Sequence, residues 1–105
     1  MSESTATETE RATLDGDGDG RTKLFDGEPK TIRLTLDAGE SIPAHKHPGR
    51  DIVFLLRSGA VDLTLGDETL SLSPGEIVRF DGGQDISPAA TADSEALLVL
   101  AATSE

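Results

Sequence analysis

The sequence predicts an all-β domain, an antiparallel sandwich or barrel, on three observations. Apolar and polar residues alternate with period two: Ile32, Leu34 and Leu36 interleave with Arg33 and Thr35, and Val61, Leu63 and Leu65 with Asp62 and Thr64. Successive strand side chains face opposite sides, so this alternation marks strands with one buried face. Turn pairs punctuate the runs at Pro48-Gly49, Gly66-Asp67 and Pro74-Gly75, the spacing of a multi-stranded β fold. No stretch carries the three-to-four periodicity of an amphipathic helix.

Residues 1–20 hold almost no large apolar side chain beyond Met1 and Leu14, and six carboxylates from Glu3 to Asp19. Such a segment buries too little surface to offset its ordering entropy, so a mobile acidic tail is expected, with the barrel domain at 21–105. Inside it, Asp15-Gly16-Asp17-Gly18-Asp19-Gly20, with Asp26 beyond, has the ligand spacing of an EF-hand calcium loop. That loop needs a helix on each side, and none is signalled here, so a solvated linker is the reading taken.

Leu24-Phe25 followed by Gly27-Glu28-Pro29 opens a hairpin into the strand around Ile32–Leu36, which Asp37-Ala38-Gly39 ends. Ile52–Leu56 is a continuous apolar run. Residues 61–65 and 70–72 flank Gly66-Asp67, a two-residue hairpin signal. Pro74-Gly75 turns the chain into Glu76–Phe80, Asp81-Gly82-Gly83 forms a loop, and Glu95–Ala102 is the last strand.

Candidate chemistry concentrates between Gly39 and Gly59, where both histidines lie. His45 and His47 are two apart, so on an extended chain both imidazoles share a face while Lys46 takes the other. Asp51 follows the Pro48-Gly49 turn. Two imidazoles and a carboxylate make a divalent-metal set with positions left open for water or substrate. The plainer alternative is two surface histidines beside a solvated aspartate.

This stretch resembles the first motif of the cupin family: glycine, five residues, His-x-His, three or four residues, a carboxylate, six residues, glycine. Gly39, His45, Lys46, His47 and Asp51 follow it, with Asp for the usual Glu. Seven residues separate Asp51 from Gly59, and counting six back from Gly59 reaches Ile52. The second motif is similar in scaffold from Gly66 through Pro74-Gly75, but Ile86 stands where the family has its metal-binding histidine, with Asp85 beside it. Asp81, Asp85 or Gln84 would have to substitute. The resemblance implies an antiparallel double-stranded β-helix, or jelly-roll barrel. It also implies a divalent transition metal (Fe, Mn, Ni or Zn) on His45, His47 and Asp51, or no metal if the lost histidine abolished the site.

Three function classes follow: a metal-binding cupin, a metal-dependent cupin enzyme of dioxygenase or isomerase type, and a metal-free barrel for small-molecule sensing or self-association. A small-molecule ligand in the barrel and a homodimer are expected. Arg50 and Arg57 flank the motif, where surface ion pairs are their expected role.

Composition bounds these readings. Twenty acidic against nine basic residues give a net charge of −11, which repels phosphate backbones and argues against nucleic-acid binding. Cysteine is absent, excluding disulfides and thiolate chemistry. The longest apolar run, Ala96–Ala102, is far too short for a membrane helix. An acidic N-terminus without an apolar core argues against a secretory signal, so a cytoplasmic location is expected. Lysine occurs only at positions 23, 30 and 46, and the acidic balance resembles that of proteins from salt-accumulating halophiles.

Overall fold

The structure, a computed structural model, describes residues 9–16 and 20–103. Among these, eight strands and no helix occur: β1 (Arg21–Phe25), β2 (Lys30–Leu36), β3 (Arg50–Ser58), β4 (Val61–Leu65), β5 (Glu68–Leu72), β6 (Ile77–Asp81), β7 (Ile86–Ala90) and β8 (Ser94–Ala102). They form a five-stranded sheet, β1-β2-β8-β3-β6, facing a three-stranded one, β5-β4-β7, with every pairing antiparallel. No helix among the described residues is long and apolar enough to cross a membrane.

The alternation read from sequence is the alternation of burial. Ile32, Leu34 and Leu36 of β2, Ile52, Phe54 and Leu56 of β3, and Ala96 and Leu100 of β8 turn inward from the large sheet. Val61, Leu63 and Leu65 of β4 and Ile86 and Ala90 of β7 meet them from the small one. Leu56 and Leu63 are wholly buried, and truncating either to Ala would cost about 2–5 kcal/mol. The β4–β5 hairpin turns on Gly66 (φ +60°) and Asp67, which keeps a negative φ. That is the type II′ turn, whose first central position favours glycine. Gly59 is required twice over: its φ is +90°, and a Cβ there would collide with Ser94 and the Asp93 carbonyl.

Strand β7 was not among the sequence-derived strands. Pro88 sits at its centre, and proline removes a ladder donor. The structure accommodates it because the N–H lost is the one that would have reached Ile42. Ile42 N donates to the Pro88 carbonyl at 2.9 Å, and the return bond comes instead from Ser87, whose Oγ donates to the Ile42 carbonyl at 2.7 Å.

On the outer face of the large sheet Arg33 is buried, 8% exposed. Its guanidinium donates to Glu95 Oε1 at 2.9 Å and to the carbonyls of Gly16 at 2.8 Å and Asp15 at 3.2 Å. Arg57 pairs with the other carboxylate oxygen of Glu95. Residues 9–16 form neither strand nor helix, yet residues 15 and 16 are thereby held against the barrel. The calcium-like spacing runs through 17–19, which lie outside the described residues.

Candidate functional site

The segment between β2 and β3 runs antiparallel beside β7, and that placement builds the site. Gly39 N and Ile42 N donate to Ala90 and Pro88, and His45 exchanges both backbone hydrogen bonds with Ile86. Ser41 is opposite Ala89, but His45 is opposite Ile86. Four steps on one side therefore match three on the other, and the extra residue is taken up at Pro43-Ala44. A bulge of this kind re-aims the side chains beyond it.

Beyond the bulge the expected two-residue spacing holds. Both imidazoles line one cavity, their centroids 4.8 Å apart and planes at 84°. Lys46 points away and pairs with Asp85 at 3.5 Å. His45 Nδ1 lies 3.0 Å from the Pro43 carbonyl. A carbonyl only accepts, so Nδ1 carries a proton, and in the tautomer this selects the lone pair is on Nε2. His47 is fixed through its backbone, donating to the Gly82 carbonyl at 2.6 Å, while Gly82 N donates to Arg50. A Cβ on Gly82 would lie 2.6 Å from the His47 carbonyl oxygen, so only glycine permits this approach. Burial, reinforced by His45, Arg21, Lys30 and Arg50, holds the His47 pKa below its ordinary value. The ring is therefore neutral near pH 7.

The cavity has a volume of about 80 Å³ and is walled by Ile32, Leu34, Ile52, Phe54, Phe80, Ile86, Leu98 and Leu100. Among the described residues its charged or titratable groups are the two imidazoles and Arg21, and all three also border a wider recess outside it. No carboxylate among the described residues lines either space. Asp51 is exposed on the outer face of β3, opposite Asp81 and Ala101, and the structure does not bring it to the histidines. Ile52, 1% exposed, faces the cavity in its place. Asp81, Gln84 and Asp85 do not line the cavity either; Asp81 accepts from Gly83 N. Arg50 and Arg57 make the expected ion pairs, with Glu28 and Glu95.

Two of the four donor positions implied by the cupin resemblance thus hold buried isoleucines, Ile52 and Ile86. Among the described residues no three His, Cys, Asp or Glu side chains are grouped to hold a metal. The donor set does not fit the four-ligand centre. Arg21 was not foreseen at the mouth: it begins β1, and only the pairing of β1 with β2 carries it there.

Comparison with known proteins agrees with the architecture. An RmlC-like cupin from Desulfovibrio desulfuricans superposes with a TM-score of 0.79 at 16% identity, over 90% of this chain and 97% of that one. An RmlC-like cupin with a double-stranded β-helix fold from Methanocaldococcus jannaschii gives 0.75 at 20% identity, over 90% of each. A predicted oxalate decarboxylase from Thermotoga maritima gives 0.65 at 22%, over 70% of this chain and 66% of that one. At these identities the likeness shows the fold, which is the double-stranded β-helix. No protein of curated function matches the sequence significantly. The cupin domain family matches residues 32–102, well over half of the 105 residues, and the chain belongs to that family.

Proposed function

We propose that this cupin is a binding module that takes a small molecule into its barrel without a resident metal. One observation carries the reading: the cavity-facing positions where ligands would stand are Ile52 and Ile86, both buried. A divalent ion held by two imidazoles would complete its shell with water against an apolar wall. Taking charge and bound water into such surroundings is costly unless further donors compensate. The same wall favours a hydrocarbon, at about 0.8 kcal/mol per buried methylene. Untagged protein, purified and analysed for metals, should carry no stoichiometric Fe, Mn, Ni or Zn. A stoichiometric metal lost on replacing either histidine would overturn the reading.

The hydrogen bond from His45 Nδ1 to the Pro43 carbonyl favours a second reading. A metal-binding histidine characteristically gives its other ring N–H to a carbonyl or carboxylate, which aims the ligating nitrogen. Here His45 and His47 would hold a divalent ion weakly, water or a bound molecule completing its shell. His45→Ala and His47→Ala would then each abolish metal affinity, and Asp51→Ala would leave it unchanged because Asp51 faces outward.

A further inference from the structure

Charge at the barrel mouth runs against the trend of the chain. Acidic residues outnumber basic ones twenty to nine, yet among the described residues no carboxylate lines the cavity or the recess outside it. Arg21 borders both spaces together with His45 and His47. Lys30 and Arg50 add positive potential at His47, and Arg50 is partly offset by Glu28 at 2.8 Å. In a molecule of net charge −11, a cationic mouth over an apolar interior attracts anions that the remaining surface repels.

The two parts select different ends of one molecule. A guanidinium presents a planar fork that matches a carboxylate with two parallel hydrogen bonds. The His47 ring offers at least one N–H in either protonation state. Beyond them the wall holds only hydrocarbon, so a second charge deeper in the ligand would be buried without a partner. Size follows from volume: a cavity of roughly 150 Å³ holds benzene, so one of about 80 Å³ takes a body of about three to five carbons.

We infer that the ligand class is a monocarboxylate with a short branched hydrocarbon body, its carboxylate at Arg21 and His47 and its carbons between Ile52 and Ile86. The inference rests on the metal-free binding reading.

The full chain, isotope-labelled and kept in EDTA, should be titrated by NMR with 3-methylbutanoate and separately with 3-methylbutanamide at equal ionic strength. The two probes share shape and differ in charge. Resonances of His45, His47 and Ile86 should shift saturably with the acid, and the amide should bind at least tenfold more weakly. Arg21→Gln, an exposed substitution at a strand start, should bring the acid close to the affinity of the amide, with a much smaller effect on the amide. Equal affinities in the parent, or a preference for the acid that survives Arg21→Gln, would overturn the carboxylate assignment while leaving the binding reading standing. Silence toward both probes would remove both.

Discussion

Ile86 and His45 face each other across two backbone hydrogen bonds, 2.8 Å from Ile86 N and 3.1 Å from His45 N. Directly opposed residues of an antiparallel ladder place their Cβ atoms about 5 Å apart on one face. An imidazole at position 86 would therefore stand beside His45 and near His47. Ile86→His should convert two donors into three and raise affinity for Zn or Ni at least 100-fold over the parent, read by competition with a metal indicator. Without metal the variant should lose about 1–3 kcal/mol, because a polar ring replaces a buried hydrocarbon. Unchanged metal affinity would mean that the position 86 side chain does not reach the histidines.

The Ser87 bond to Ile42 leads to a double-mutant cycle. Ser87→Ala leaves the Ile42 carbonyl without the donor that replaces the missing N–H of Pro88. The loss should be about 1 kcal/mol in denaturant unfolding. Pro88→Ala restores a backbone N–H facing the same carbonyl. In that background Ser87→Ala should cost much less, whatever Pro88→Ala itself costs in packing. Equal costs in both backgrounds would dissociate the serine from the proline.

These two sites also mark where the sequence was legible. Strands β2, β4 and β5 announce themselves because polar residues alternate with apolar ones along each, and β8 announces itself as an apolar run of strand length rather than by alternation, since Leu97 and Val99 on its outer face are half-buried. The fold class and the shared face of His45 and His47 follow from the same periodicity. Strand β7 was hidden because Pro88 argues against a strand until Ser87 is seen to supply the missing donor. The choice between Asp51 and Ile52 was hidden for a different reason. Ile52–Leu56 is apolar at every position, since Val53 and Leu55 on the outer face are themselves half-buried, so no alternation tells which side is in. The docking of residues 15 and 16 on Arg33 uses backbone carbonyls, which any sequence provides.

Stability should respond to acid through Glu95. The hydrogen bond from Arg33, then that from Arg57, holds its carboxyl below the ordinary glutamate value against an opposing desolvation. A depressed folded-state pKa stabilises above the unfolded-state value, near 4.5, and that contribution fades as pH falls through the lower folded value. Glu95→Gln should cost about 1.5–3 kcal/mol near pH 7, the range of charged hydrogen bonds. The gap between parent and variant should stay constant down to about pH 5 and close below it. A gap that ignores pH would mean the carboxylate charge contributes nothing.

Salt dependence should have both a global and a local signature. A net charge of −11 on 105 residues opposes compaction, and screening shortens the reach of that repulsion from about 10 Å at 0.1 M salt to about 3 Å at 1 M. Stability should climb between dilute buffer and molar potassium chloride, and a flat response would remove the halophile-like reading of the composition. Locally, Asp51 stands directly opposite Asp81 on the exposed face of β3 and β6. Like charges so placed repel by about 0.2–1 kcal/mol. Asp81 Oδ1 is occupied by Gly83 N, so Asp51 is the partner to neutralise without breaking a turn. Asp51→Asn should therefore stabilise the protein in dilute buffer by a few tenths of a kcal/mol or more, and the gain should vanish in molar salt. A gain that persists in high salt would be conformational, and a loss in dilute buffer would show that Asp51 has an attractive partner.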